Sequence, residues 1–196
     1  MNQYRKENKK KRIVLGISGA SGVRLGYHIA KALKECDVEL HMVLTNAARL
    51  TWTYEMEEDI SILSSLADYL YEPDNMAASI SSGSYWIDGM VVAPCSMKSL
   101  AGIVTGYTDN LLLRAVDVCL KENRKVVLCP REMPLGKIHL RNLSTAADVG
   151  CTIIPPMLSF YSQQQTVEDQ LNHITGKVLM QFGIEYKAFR GWKGVK

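Results

Sequence analysis

A chain of 196 residues, 47% apolar and 22% charged, suits one globular domain with a full core, and no apolar run approaches the roughly 20 residues of a membrane-spanning helix. The formal charge of +3 has a local origin: Arg5, Lys6, Lys9, Lys10, Lys11 and Arg12 stand against Glu7 alone, so residues 1–11 read as a solvated basic extension on a slightly acidic body. That balance excludes a body made for nucleic acid, and a basic start with no hydrophobic segment behind it is no secretory signal.

Arg12–Gly26 carries the first signal. Ile13–Ile17 is an apolar, β-branched run of the kind a buried parallel strand needs. It stops at Ser18-Gly19-Ala20-Ser21-Gly22, and Val23, Ile29, Ala30 and Leu33 then mark a helical stripe. Strand, small-residue loop and helix together present backbone N–H groups to an anion, and glycine lets a phosphate come close. The same pattern also serves as a plain tight turn. The spacing is neither GxGxxG nor GxxxxGK[ST], so neither a dinucleotide fingerprint nor a P-loop is indicated.

Val38–Thr45 reads as a second strand, and Thr45-Asn46 opens a short helix through Tyr54. Residues 55–85 are the least regular stretch, acidic and then Tyr-rich. They end in the Ser/Gly cluster 79–84, expected as a mobile connection or a lid. Met90–Pro94 is a third buried strand, and Cys95-Ser96-Met97-Lys98-Ser99 leads into a helix that Ser96 can cap. Two strand–loop–helix units predict an α/β fold with a parallel sheet and a ligand at its carboxyl edge.

Asp109–Glu122 is expected as a helix that is apolar nearly all round, with Arg114, Asp117 and Lys121 on one face. Charges on a buried helix need partners. Arg114 and Asp117 can satisfy each other, and Lys121 is left over for an anion. Lys125–Pro130 is the next strand. Its exit holds Arg131 and Glu132 between prolines, either a surface ion pair or a phosphate ligand beside an acid–base group. His139–Val149 reads as a helix, Cys151–Pro155 as a short strand, and Thr166–Asp169 as the capped start of a helix running to about Gly183. The tail 185–196 holds Tyr186, Phe189 and Trp192 and is too aromatic to be purely solvated. Cys36, Cys95, Cys119, Cys129 and Cys151 are odd in number, with no CxxC pair and with scattered histidines. Reduced thiols in a cytoplasmic protein and no metal site are expected.

The segments Gly19–Gly22, Ala93–Ser99, Gly106–Asn110, Pro130–Glu132 and Phe160-Tyr161, in this order, resemble those of the UbiX/Pad-type flavin prenyltransferases over about residues 12–192. The resemblance implies a flavodoxin-like Rossmann sandwich over 12–184. It also implies transfer of a dimethylallyl group from dimethylallyl phosphate to reduced FMN, which gives prenylated FMN for a UbiD-type decarboxylase. No metal is implied, and the assembly is expected to be a homododecamer with sites between subunits. By match to the family's motifs, Gly19, Ala20, Ser21, Thr45, Ser96, Met97, Lys98, Ser99 and Arg131 are expected to hold the flavin. Arg114, Lys121, Arg131, Tyr161 and Lys177 are expected to hold the donor's phosphate. Glu132, Ser21, Tyr161 and Lys121 are expected to serve the chemistry, with Trp192 closing over the site. The rivals are a non-catalytic FMN-binding subunit of a hydroxyarylic acid decarboxylase and a flavin-dependent cysteine decarboxylase, for which His28 or His41 would have to act.

Overall fold

In the computed structural model the described residues are 10–160, 166–192 and 194. Among them six strands form one sheet: β1 (Arg12–Ile17), β2 (Glu39–Leu44), β3 (Tyr69–Tyr71), β4 (Gly89–Cys95), β5 (Lys125–Pro130) and β6 (Cys151–Ile153). All pairings are parallel, in the order β3-β2-β1-β4-β5-β6. Without the short edge strand β3 this is the flavodoxin-like order, so the expected α/β Rossmann-type sandwich is what forms. The direction of winding reverses between β1 and β4, which opens a crevice at their carboxyl ends.

Among the described residues seven helices cover the sheet: α1 (Val23–Glu35), α2 (Asn46–Glu55), α3 (Ile62–Leu66), α4 (Met97–Thr105), α5 (Leu111–Lys121), α6 (Lys137–Asp148) and α7 (Val167–Met180). Strand alternation divides the core in two. Ile13, Leu15 and Ile17 of β1 join Val91, Ala93 and Val127 against α1 and α7. Val14, Met90, Val92, Val126 and Leu128 face α4 and α5 on the other side. Helix α5 is buried over most of its circumference, as its sequence requires.

Two segments differ from expectation. The stretch 55–85 is more ordered than its composition suggests, because it contains α3, β3 and a 3-10 turn, Ser79–Ser81. β3 escapes an apolar pattern because its tyrosines stack on His41 at the sheet edge, with Tyr69 ring to ring at 4.7 Å. The Ser/Gly cluster is no free lid. Ile80 is buried, the Ser81 carbonyl accepts from Arg114 Nε at 3.1 Å, and Arg124 donates to the carbonyls of Gly83 and Tyr85 at 2.6 and 2.9 Å. Beyond α7 the aromatic tail docks as its composition suggests. Tyr186 donates to Asn172 Oδ1 at 2.7 Å, and Phe189 packs where Gly176 has no side chain.

Candidate functional site

The crevice is built from Ser18. This residue ends β1 fully buried, and its hydroxyl donates to the Pro94 carbonyl while accepting from the Ser96 N–H, both at 2.7 Å. One side chain thus ties the loop after β1 to the loop after β4. The next two anchors are helix caps. Thr45 Oγ1 accepts from the Ala48 N–H at 3.1 Å, and Ser96 Oγ accepts from the Ser99 N–H at 3.2 Å. Each cap fixes a helix whose first N–H groups lack intrahelical partners, and both helices start at the same edge.

A cavity of about 330 Å³ lies between them, lined by Gly19, Thr45, Asn46, Ala47, Pro73, Ser96, Lys98, Ser99, Asn110 and Leu113. Five residues of the flavin set therefore meet at one cavity: Gly19, Thr45, Ser96, Lys98 and Ser99. Met97 occupies the first turn of α4, while Ala20 and Ser21 continue the same loop outside the lining. The segment after β5 joins the crevice through the Arg131 N–H, which donates to the Cys95 carbonyl at 3.1 Å. Three helix N-termini (of α2, α4 and, at Asn110, α5), three hydroxyls and the Lys98 ammonium make this cavity suited to a phosphorylated ligand.

The N-terminus of α1 does not offer the free anion site that its sequence suggests. Its N–H groups at Gly22 and Val23 donate to Glu55 Oε2 at 2.7 and 3.0 Å. Gly22 makes this possible by adopting a left-handed backbone, φ 103°, with open space where a side chain would stand. A carboxylate of the chain itself thus fills the position expected for a ligand's anion, one residue from Ser21. Sequence reasoning does not single out Glu55 or Pro73 and treats Ser18 only as part of the loop. Their partners lie far along the chain, where no local spacing reveals them.

The remaining assigned residues fall into three groups. Arg131 and Glu132 are exposed at the carboxyl edge and form no ion pair with each other among the described residues; Glu132 Oε1 accepts instead from the Met133 N–H at 3.0 Å. Lys177 lines a second, apolar cavity of about 490 Å³ with Pro155, Met157, Leu158, Phe160 and His173. Trp192 is largely exposed, and Tyr161 lies outside the described residues. Neither Arg114 nor Lys121 lines the cavity: Arg114 follows the lining residue Leu113 in the first turn of α5, and Lys121 ends that helix. Helix α5 starts at the cavity with Asn110 and runs back along the sheet, about 16 Å for its length, to the amino edge where β5 begins. Arg114 pairs with Asp117 at 2.8 Å, and Lys121 approaches Glu122 at 3.6 Å, so the ion pair expected within the helix forms.

Neither histidine that the cysteine-decarboxylase reading needs lines the cavity. His28 bridges α1 and α7 through Thr175 Oγ1 at 3.1 Å and Glu168 Oε1 at 2.9 Å, and His41 lies fully buried between Glu39 and Tyr71. The cysteines are reduced, and burial pushes the Cys129 and Cys119 thiols up to about 12. Among the described residues no cluster of His, Cys, Asp or Glu could hold a metal ion.

Comparison with known proteins gives a consistent picture. The Flavoprotein family model matches residues 1–179. A probable UbiX-like flavin prenyltransferase of Sedimentibacter hydroxybenzoicus is 59% identical over 188 residues, covering 94% of this chain and 98% of the relative. The crystal structure of AnUbiX (PadA1) with FMN and dimethylallyl pyrophosphate is similar with a TM-score of 0.93 at 41% identity, covering 96% of this chain and all of the other. A dodecameric FMN-dependent UbiX-like decarboxylase from Escherichia coli O157:H7 matches with a TM-score of 0.91 at 46% identity, covering 93% of this chain and all of that one.

Proposed function

The chain belongs to the flavoprotein family and, within it, to the UbiX-like flavin prenyltransferases, and from that premise we propose that it prenylates reduced FMN. The dimethylallyl group of dimethylallyl phosphate, or of the pyrophosphate bound in AnUbiX, is joined to the flavin, and a fourth ring is closed. One carbon–oxygen bond to the phosphate breaks and two bonds to the flavin form; each flavin atom that gains a bond gives up a proton, the donor's alkene takes one up as the ring closes, and the other leaves with the phosphate. The observation that carries this reading is the cavity between α2 and α4, where Gly19, Thr45, Ser96, Lys98 and Ser99 meet in a loop pair closed by Ser18. Gly19, Ala20, Ser21, Thr45, Ser96–Ser99 and Arg131 hold FMN, whose phosphate is suited to the helix N-termini and whose flavin lies towards Arg131.

The donor needs cations for its leaving phosphate and apolar walls for its five-carbon chain. The second cavity supports both, with Lys177 on a mostly apolar lining, and Tyr161 is assigned to the phosphate by family match alone. Lys121 completes the phosphate set from a neighbouring subunit, because α5 carries it a helix length from its own crevice, and Arg114 of the same helix joins it. The dodecameric E. coli relative supports such sharing. Glu132 takes the ring proton, Ser21 assists beside it, and Trp192 of the tail 185–196 closes the site. A mere FMN carrier needs no second, apolar and cationic cavity. The product serves a UbiD-type decarboxylase in the cytoplasm; no helix among the described residues is long and apolar enough to cross a membrane.

Incubation with reduced FMN and dimethylallyl phosphate, followed by mass spectrometry of the extracted flavin, tests the reading. One added dimethylallyl unit is expected. Recovery of unmodified FMN alone overturns it in favour of the carrier.

A further inference from the structure

A polar chain, fully buried at His41 and part-buried elsewhere, crosses the edge of the sheet, and none of its members lines either cavity. Arg12 Nε meets Glu39 Oε1 at 2.7 Å, and His41 Nε2 meets the same carboxylate oxygen at 3.1 Å. His41 Nδ1 lies 2.9 Å from the Tyr71 hydroxyl, which lies 3.0 Å from Ser79 Oγ. The carboxylate only accepts, so Nε2 carries the proton and donates to it. Nδ1 of the neutral ring then accepts from Tyr71, whose oxygen in turn accepts from Ser79. Burial, which holds His41 below its ordinary value of 6.5, favours this neutral ring.

The chain ends on the 3-10 turn Ser79–Ser81, and that turn reaches Arg114. The Ser81 carbonyl accepts from Arg114 Nε at 3.1 Å, while Asp117 Oδ2 accepts from Nη1 at 2.8 Å. The guanidinium is therefore held at two of its three nitrogens, and Nη2 has its N–H groups left for a further acceptor. A carbonyl in a serine-rich turn can fix an arginine only if the turn itself is fixed. Ile80 packing into the core anchors one side of the turn, and the Tyr71–Ser79 bond anchors the other.

We propose that Tyr71, backed by His41 and Glu39, is a positioning residue for the donor's phosphate: it holds the Ser79–Ser81 turn, which aims Arg114. This rests on Arg114 being a phosphate ligand, as set out above. Tyr71→Phe removes the hydroxyl and leaves the stacked ring in place, and Ser79→Ala breaks the same bond from its other end. In steady-state assays of the full assembly with reduced FMN, either variant is expected to raise the KM for dimethylallyl phosphate about two- to tenfold, the range one net hydrogen bond supplies. The kcat and the FMN affinity should stay close to wild type. A fall in melting temperature with an unchanged donor KM overturns the positioning role and leaves Tyr71 a structural residue. Arg114→Gln keeps the two readings apart. If Arg114→Gln leaves the donor KM unchanged, the assignment of Arg114 itself is wrong; if it raises that KM while Tyr71→Phe and Ser79→Ala do not, only the positioning proposal fails.

Discussion

Gly19 has two reasons to be glycine, and only one is visible in a sequence. A Cβ there would stand 2.3 Å from Ala47 Cβ, so the first turn of α2 demands glycine before any phosphate approaches. Gly19→Val is therefore no clean probe of ligand approach, because it displaces a helix as well. The caps Thr45, Ser96 and Thr166 are legible, since each bonds an N–H three residues ahead, whereas Asn110, which caps α5, is read inside a helix expected from Asp109. Ser18 and Glu55 are not, because their partners lie 78 and 33 positions away. Glu132 offers the sharper residue-level test. Glu132→Gln keeps the acceptor for the Met133 N–H and removes the base. Binding of FMN and donor should persist while ring closure slows about 10²–10⁴-fold, and a singly attached flavin should build up in stopped-flow absorbance. Closure at the wild-type rate removes Glu132 from the proton transfer.

Elements were legible wherever burial set the pattern. The five buried residues of β1, the all-round apolar α5 and the loops that precede α1 and α4 follow from side-chain pattern alone. β3 was not legible, because three edge residues held by ring stacking on His41 leave no such period. That packing has a consequence in acid. Burial keeps the folded His41 below 6.5, outweighing the bond and charge of Glu39; Arg12 lowers it further, and Tyr69, Tyr71 and Tyr85 complete its surroundings. Below pH 6.5 the unfolded chain takes up a proton that the folded ring still refuses. The stability this position gives above that pH is thus lost as pH falls through the folded value. His173, also held low by burial, acts in the same direction, while Glu39 is held below 4.5, where the bonds from His41 and Arg12 outweigh its burial. Melting temperature should fall more steeply from pH 7 to 5 in wild type than in His41→Gln. Equal slopes would show that this ring does not report acidity.

At the scale of the molecule, the direction of α5 decides where the chemistry is completed. Its N-cap Asn110 meets the cavity and Lys121 lies a helix length away, so the proposed role of Lys121 at a flavin requires another copy of the chain. Co-expressed Lys121→Met and Glu132→Gln chains should recover part of the activity that each lacks alone, measured by prenylated FMN formed per subunit. No recovery in purified mixed assemblies would mean that each chain works by itself. The order of the strands also shapes the birth of the protein. β1 lies at the centre of the sheet yet leaves the ribosome first, and only β2 and β3 can join it on one side before β4 arrives. Until then Ser18 has no Pro94 or Ser96 to bind, and the other side of β1 is a bare strand edge open to mispairing. A pause in translation ahead of β4 would therefore yield an adhesive fragment, and nascent chains halted there are natural clients for a chaperone.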